Sequence, residues 1–345
     1  MERKSLSDIS WKVSEPEYRQ DSALSYSTLS RYEREGFGGL EKLFDKIESP
    51  SLVFGSVVDT LMTGTQEEFD ENFLVAKLDN PLSDALVLIT KKLFDIWKRD
   101  YTSITDIPDD DIVKSIQDIQ WNNHWQPKTR AKKIKEECAA YYKLLYLSEN
   151  KTIISTFVYQ DAINVVDSLK SADSTRFYFE PNNIFDNSVE RFYQLKFKAT
   201  LDGVGYRCMA DEIVVLHGKK LVVPIDLKTS YKPEYDFPKS FIEWRYDLQS
   251  RLYWRIIRDN MDRDPYFKDF RLADYRFIVA NKKTLNPLVW VFEQTQSTES
   301  IITKDGKELR HPLVIGSELR GYLDTQAKVP NGIDLVKPNK IDSFI

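Results

Sequence analysis

Three charged residues, Asp211, Asp226 and Lys228, stand in two short apolar stretches, MADEIVV (209–215) and PIDLKTS (224–230). Alternate side chains of a strand share a face, so Asp226 and Lys228 should point the same way. A hairpin between the two stretches would place Asp211 across from Asp226. Two adjacent carboxylates repel each other unless a cation lies between them, and Mg²⁺ or Mn²⁺ prefers such hard oxygen ligands together with water. The residue types and their spacing therefore predict a metal centre that hydrolyses phosphodiester bonds, with Lys228 orienting the attacking water or stabilising the developing charge.

Other polar residues could complete this centre. Glu190, at the start of the preceding strand pattern, is a further carboxylate. Gln249 and Tyr253 are four residues apart and share one face of a predicted helix, from which they can reach the strand ends that carry the acids. A D-x-K triplet also occurs by chance on solvated strand faces, which is the better interpretation of the triplet taken alone. The metal site is favoured because this triplet ends a strongly apolar strand, where unpaired charges are costly to bury.

The elements that must position these residues follow from the pattern of apolar side chains. The first half is predicted to be mainly helical, with helical spacing over roughly 83–101, 111–120, 129–147 and 152–170. From about residue 175 the pattern changes to the alternation typical of strands, at 177–179, 191–198, 205–216 and 221–227. Asp202-Gly203 and the segment 217–220, which contains His217, are predicted hairpin turns. An amphipathic helix over 238–260 and strands over 273–281 and 287–293 complete a predicted α/β core.

Composition narrows the classes of function. The 345 residues are 41% hydrophobic, which is enough for a large core, and no apolar run is long enough to span a bilayer. The formal net charge of −5 argues against a protein that coats nucleic acid by bulk attraction, although contacts can be confined to one cleft. Cys138 and Cys208 are far apart, so neither a disulfide framework nor an iron–sulfur cluster is expected, and His124, His217 and His311 lack zinc spacing. No Walker-type ATP site occurs, and a cytoplasmic protein with no membrane partner is expected.

The order of the candidate site residues is specific: Glu190, Asp211, Asp226-x-Lys228 and Gln249-x-x-x-Tyr253. This order resembles the PD-(D/E)XK nuclease superfamily in its RecB-type branch, where the glutamine–tyrosine helix motif accompanies the metal site. Near the N-terminus, LSYSTLSRY (24–32), Ser49-Pro50 and FGSVVDTLM (54–62) are similar to the opening of phage-type exonucleases related to exonuclease VIII. The resemblance covers about 24–64 and 186–295, and the helical block between these ranges resembles no known family.

The resemblance implies a fold and a ligand set. The fold would be a restriction-endonuclease-like α/β core, in which a mixed sheet starts antiparallel and is flanked by helices, with a large N-terminal helical elaboration. The implied organisation is an N-terminal arm (1–23), a helical region forming one wall of the cleft (24–180), the nuclease core (181–300) and a C-terminal helix and tail (301–345). The implied metal ligands are Asp59, Glu190, Asp211, Asp226 and the backbone carbonyl of Leu227. Lys228 would be the catalytic lysine, and Gln249 and Tyr253 would be catalytic-site residues that position this lysine or the DNA backbone. Relatives often carry histidine at the position of Asp59, and aspartate also binds hard cations.

The expected function is a stand-alone exonuclease that acts on linear duplex DNA ends in phage-type recombination or DNA processing. Alternatives are an endonuclease of the same fold in repair or restriction, and a module that holds DNA or a partner without cutting. Family analogy adds a homo-oligomer and a single-strand annealing protein as partner. Predicted DNA contacts are Lys128, Arg130, Lys132 and Lys133 for phosphates, and Tyr231 and Trp244 for unpaired bases.

Overall fold

A computed structural model describes residues 3–44, 49–76, 82–148, 151–183, 185–186, 188–293 and 301–328. The chain divides into two compact units, of which the first comprises residues 1–55 and 165–345 and the second residues 56–164. This division differs from the predicted boundaries, because the N-terminal segment and the C-terminal helix belong to the same unit as the main sheet. Within the described ranges, no helix is both long and apolar enough to cross a bilayer.

The elements are numbered in chain order. The α-helices are α1 (Glu15–Gln20), α2 (Tyr26–Glu35), α3 (Pro50–Thr63), α4 (Gln66–Asn72), α5 (Asp84–Trp97), α6 (Asp109–Ser115), α7 (Pro127–Leu147), α8 (Thr156–Ser171), α9 (Phe237–Glu243), α10 (Tyr246–Arg263) and α11 (Pro312–Lys328). The strands are β1 (Phe73–Ala76), β2 (Thr152–Ser155), β3 (Val189–Leu201), β4 (Val204–Leu216), β5 (Leu221–Ser230), β6 (Arg271–Leu272), β7 (Tyr275–Asn281), β8 (Leu288–Phe292), β9 (Ile301–Ile302) and β10 (Glu308–Leu309).

The first unit is built on a sheet with the strand order β3-β4-β5-β7-β8, in which β6 also pairs with β5. Neighbouring strands are antiparallel except that β5 runs parallel to both β6 and β7. The predicted antiparallel start, followed by a helix and two further strands, is therefore confirmed as a mixed α/β arrangement. A parallel pair needs a long crossover connection, which α9 and α10 supply between β5 and β7.

Two turns set the geometry of the antiparallel strands. Asp202 (φ 50°) and Gly203 (φ 80°) both have the positive φ that a two-residue hairpin turn requires. A 3-10 turn at His217–Lys219, followed by Lys220 in the left-handed conformation, joins β4 to β5 and confirms the predicted place of His217. Pro224 lies in β5 between the residues that pair with β6 and those that pair with β7. A central strand tolerates proline here because its neighbour on that side changes at this point.

Helix α10 covers one face of this sheet. Its residues Leu248, Leu252 and Ile256 are fully buried, and their spacing of four places them in one stripe against the strands. They share a hydrophobic core with side chains of β3, β4 and β7 and with residues of α2 and α11. Helix α10 thus packs its apolar stripe on the sheet, and its polar flank faces the strand ends.

The helix predicted over 238–260 is broken between α9 and α10, so that prediction is corrected. Arg245 stands at the break in the left-handed conformation (φ 57°). Its guanidinium is buried and pairs with Asp247 at 2.9 Å and with Glu33 of α2 at 2.5 Å. These two ion pairs hold the first turn of α10 in place, because a buried carboxylate without its partner would be unstable.

The second unit has its own core, in which α5, α6 and α7 surround the fully buried Ile89, Leu93 and Ile134. Its strands β1 and β2 pair in parallel. The predicted helix over 152–170 is therefore wrong for its first residues, since the β-branched run from Thr152 to Ile154 forms β2 before α8 begins. In the first unit, the strand predicted at 177–179 is also wrong, because these residues form turns.

Candidate active site

The ladder between β4 and β5 places Asp211 beside Asp226. Glu212 pairs with Ile225, so Asp211 and Asp226 are the next positions in register. The Asp211 carboxylate is anchored to the neighbouring strand, because its Oδ2 accepts a hydrogen bond from the Leu227 N–H at 2.9 Å. The hairpin thus brings the two predicted acids to one place on the sheet.

Asp226 lies at the centre of a buried polar cluster. The residue is 1% exposed, and its Oδ2 lies 2.5 Å from Nζ of Lys228. From α10, Gln249 donates a hydrogen bond through Nε2 to Asp226 Oδ1. The Gln249 Oε1 atom is buried and has no hydrogen-bond partner in the described part of the chain. The strand triplet and the helix motif therefore meet at a single carboxylate.

The charge state of Lys228 follows from its surroundings. Burial lowers the pKa of Lys228, but the negative charge of Asp226 and further neighbours outweigh this effect and raise the pKa above its ordinary value. The ammonium also lies over the ring of Tyr246, 4.7 Å from the ring centroid, in a cation–π contact. Lys228 is therefore protonated at neutral pH, so it can supply positive charge and hydrogen-bond donors but cannot accept a proton.

Tyr253 reaches the same region from the next turn of α10. It is 7% exposed, and its ring meets that of Tyr275 edge-on with the centroids 6.4 Å apart. Burial raises the pKa of Tyr253 well above its ordinary value, and nearby negative charges, including those of Asp226 and Asp211, add to the shift. The phenol is therefore neutral and keeps its hydroxyl proton for donation.

Two aromatic residues of the site, Tyr246 and Tyr26, were not predicted. Tyr246 precedes Gln249 by three residues and Tyr253 by seven, so the three side chains share one face of α10. Tyr26 donates through Oη to the backbone carbonyl of Trp244 at 2.8 Å, and its ring lies 6.2 Å from that of Tyr246. The helical period could have identified Tyr246. Tyr26 lies in the segment 24–32, whose resemblance concerns that segment as a whole, and it is 218 residues away from its acceptor in sequence.

Glu190 does not join the cluster, and its assignment as a metal ligand stays a prediction. It pairs with Val215, four residues along β4 from Asp211, a separation of about 13 Å in a strand. Its Oε2 instead lies 2.6 Å from Nε2 of His217, in the turn after β4. Strand alternation predicts the face of the sheet on which Glu190 lies, but it does not predict the position along the strand.

Asp59 lies in the part of α3 that belongs to the second unit, and its side chain is half-buried. Its assignment as a metal ligand stays a prediction. The same holds for the backbone carbonyl of Leu227, although the N–H of that residue already contacts Asp211.

The predicted phosphate contacts of α7 differ in exposure. Lys128 is exposed, and the side chains of Lys132 and Lys133 are 77% and 43% exposed with Nζ 3.9 Å from Glu136. Arg130 is only 8% exposed and belongs to the interior of the second unit. The phosphate contacts of Arg130 and of the three lysines all stay predictions.

The two predicted stacking residues are both accessible. Tyr231, directly after β5, is 55% exposed. Trp244, between α9 and α10, is 43% exposed, and the Arg34 guanidinium lies over its ring at 5.2 Å. Their contact with bases stays a prediction.

Asp211 and Asp226 form the donor set that a divalent metal would use. Among the residues that the structure describes, no group of three or more His, Cys, Asp or Glu side chains could hold a metal by itself. Mg²⁺ usually takes one or two carboxylates and keeps several waters, so it does not need a closed protein cage. The two acids and the unpartnered Oε1 of Gln249, which can accept a hydrogen bond from water, fit such an ion.

No protein-family model matches the chain, and no curated protein matches it either. Among solved structures, the chain is similar to a crystal structure of a candidate exonuclease from Eubacterium rectale. The match has 12% sequence identity and a TM-score of 0.45, and it covers 95% of this chain and 92% of the other. At that identity and TM-score the likeness carries no argument about activity, which rests on the site itself.

Proposed function

We propose that the protein is a metal-dependent nuclease that hydrolyses the phosphodiester bonds of DNA. The observation that carries this proposal is the ion pair between the buried Asp226 carboxylate and the half-buried Lys228 ammonium, beside an Asp211 carboxylate that is fixed by the Leu227 N–H. Burying two charges costs most of the energy that their attraction returns, so such a pair is a poor means of stabilising a fold. It is useful where the charges have a chemical task, as they do in phosphate hydrolysis.

Asp211 and Asp226 would hold Mg²⁺ or Mn²⁺, with the Leu227 carbonyl as a further ligand. When bound, the ion supplies positive charge next to the phosphate and lowers the pKa of water. Lys228 adds a second positive charge, which stabilises the charge that develops on the phosphate oxygens in the transition state. Because its pKa is raised, Lys228 acts through this charge and not as the base.

Helix α10 supports the site without taking part in the reaction. Gln249 fixes the orientation of the Asp226 carboxylate, which leaves the opposite oxygen to Lys228. Tyr253 closes the site on the side of the core. These two are positioning residues, and their loss should reduce the rate by misplacing Asp226.

The finer assignment rests on the order of the motifs Asp226-x-Lys228 and Gln249-x-x-x-Tyr253 along the chain. It is a restriction-endonuclease-like core of the RecB type that acts as an exonuclease on linear duplex ends, in phage-type recombination or DNA processing. A homo-oligomer and a single-strand annealing partner belong to the same proposal.

The test uses end-labelled linear duplex, nicked circular and closed circular DNA with Mg²⁺ or Mn²⁺. We expect degradation of the linear substrate by the wild type and loss of activity in Asp226→Ala and Lys228→Ala. The matched control is the exposed ion pair Lys232–Glu243, whose atoms lie 2.8 Å apart. Lys232→Ala and Glu243→Ala remove the same kinds of charge from the same region and should keep full activity.

Each other outcome identifies a different function. Cutting of closed circles would indicate an endonuclease, and DNA binding without any cutting would indicate a binding module. Equal activity of the wild type and the Asp226→Ala and Lys228→Ala variants would refute the assigned site. Calorimetric titration with Mn²⁺ separates metal binding from catalysis, because Asp211→Asn and Asp226→Asn should weaken binding while Lys228→Ala should not.

A further inference from the structure

A shallow pocket on the protein surface begins directly after Lys228 along β5, and its lining is Ser51, Phe54, Thr229, Ser230, Tyr231 and Lys282. It opens at the carboxyl ends of the parallel strands β5 and β7. The last paired residues of these strands are Ser230 and Asn281. The residues that follow them in sequence, Tyr231 and Lys282, line the pocket. Ligands of open α/β sheets commonly bind in the crevice beyond the carboxyl ends of parallel strands. The position alone therefore makes the pocket a candidate binding site.

The chemistry of the lining selects an anionic and aromatic ligand. The Lys282 ammonium lies between two rings, 5.6 Å from the centroid of Phe54 and 5.2 Å from that of Tyr231. Three further lining residues carry hydroxyl groups, and none of the six is acidic. Tyr231 remains 55% exposed with the ammonium over its ring, so a planar group can still stack on it.

The loops that carry Tyr231 and Lys282 are tied to one another. Asn281 donates through Nδ2 to the carbonyl of Lys232 at 2.9 Å. The Glu234 carboxylate, 3% exposed, accepts from the Asn281 N–H at 3.2 Å and from the Thr284 hydroxyl at 2.5 Å. The ring and the ammonium are thus presented by a fixed framework, which lowers the entropy cost of binding a ligand between them.

We propose that this pocket binds an unpaired nucleotide of the DNA strand next to the cleaved phosphate, with the base on Tyr231 and a phosphate on Lys282. The proposal rests on the nuclease function above. Tyr231 directly follows β5 and comes three residues after Lys228, a separation of about 10 Å along extended chain. A base in a duplex is stacked on both faces by its neighbours, so only an unpaired base can use the ring. The pocket therefore selects a single-stranded or frayed strand over an intact duplex.

The experiment measures binding of a short labelled single strand by fluorescence anisotropy in EDTA, where no cleavage occurs. Tyr231→Ala should weaken binding about 10-fold, the usual effect of removing one stacking ring, without changing the salt dependence. Lys282→Ala should weaken binding and reduce the slope of log affinity against log salt by about 0.7, the value for one phosphate contact on a single strand. Tyr231→Phe should restore the affinity.

Matched controls lie beside both residues. Lys283 is an exposed lysine next to Lys282, and Tyr235 is a 69% exposed tyrosine four residues after Tyr231. Lys283→Ala and Tyr235→Ala should leave affinity and salt slope unchanged. Equal effects of pocket and control variants, or no single-strand binding by the wild type, would overturn the inference.

The outcome is separable from that of the nuclease test. A wild type that cuts linear DNA while the Tyr231→Ala and Lys282→Ala variants bind normally refutes the pocket and leaves the nuclease standing. A wild type that binds single strands through Tyr231 and Lys282 but cuts nothing refutes the nuclease and leaves the pocket standing. Blunt duplex, measured in parallel, should lose much less affinity than the single strand in Tyr231→Ala.

Discussion

Helix α11 contains two glycines for which the same substitution should have opposite effects. At Gly316 an added Cβ would lie 2.7 Å from both Cζ and Cε1 of Tyr206, and closer still to its hydroxyl. Tyr206 is fully buried in β4, so it has little room to move. At Gly321 an added Cβ meets nothing within 4 Å. We therefore expect Gly316→Ala to destabilise the protein and Gly321→Ala to stabilise it.

The magnitude follows from two terms. Replacing glycine by alanine in a helix gains about 1 kcal/mol at either position. Overpacking a closed core costs about 1–3 kcal/mol, and only Gly316→Ala meets this cost. The helix term is common to both variants, so their free energies of unfolding should differ by about 1–3 kcal/mol.

Urea unfolding measures the free energies, and amide hydrogen exchange in α11 shows whether the loss is local to that helix. The Tyr206 hydroxyl is buried and has no hydrogen-bond partner among the described residues. Tyr206→Phe should therefore be neutral or stabilising alone, and it should relieve part of the cost of Gly316→Ala in a double-mutant cycle. Equal stability changes in Gly316→Ala and Gly321→Ala would refute the close packing of α11 on β4.

Three further predictions concern buried charges. Burial raises the pKa of Glu212 to about 9, so the folded state holds a proton that the unfolded state has released. The free energy of unfolding should then fall as pH rises from the ordinary glutamate pKa towards 9, by at most ~1.4 kcal/mol per pH unit. Urea unfolding measured across this pH range should show the fall in the wild type and not in Glu212→Gln. Asp226→Asn removes the nearest negative charge from Lys228, while the burial that lowers the pKa of Lys228 persists. NMR titration should therefore find a lower pKa of Lys228 in this variant, and an unchanged pKa would contradict the ion pair. Arg245→Ala removes the closest cation from the fully buried Asp247 and leaves it only the more distant Arg251, at 3.8 Å. The variant should cost about 3–5 kcal/mol of unfolding free energy, and a loss below about 1 kcal/mol would count against this role of Arg245.

The sheet and the central pair of acids were predictable because their signals are local. Alternation over 191–198 and the turn at Asp202-Gly203 fix the first hairpin, and both turn residues adopt the positive φ that the sequence favours. The apolar strand that ends in Asp226-x-Lys228 then needs only a second hairpin to meet Asp211. Strands with alternating apolar residues that are joined by short turns can pair with each other in few other ways.

Other features of the fold and the site could not be predicted because they depend on tertiary contacts. The break at Arg245 was missed because the apolar stripe continues across it, and an arginine in the left-handed conformation has no sequence signal of its own. The distance of Glu190 from Asp211 depends on the strand register, which neither residue type nor strand alternation predicts. The burial of Arg130 depends on which side of α7 packs inward, and the neighbouring lysines do not indicate this.

Asp211 and Glu212 are adjacent acids with opposite surroundings, one facing α10 and the other buried with a raised pKa on the far side of the sheet. The alternation of side chains along β4 places them on opposite faces, and the turn at His217–Lys219, about 17 Å along β4 from Glu212, sets which of them meets Asp226. Inserting or deleting one turn residue would turn β5 over relative to β4 and move Asp226 and Lys228 to the face of Glu212. The length of this distant turn thus sets the register of β5 against β4. A change of one residue in the turn would separate Asp211 from Asp226 without changing either residue.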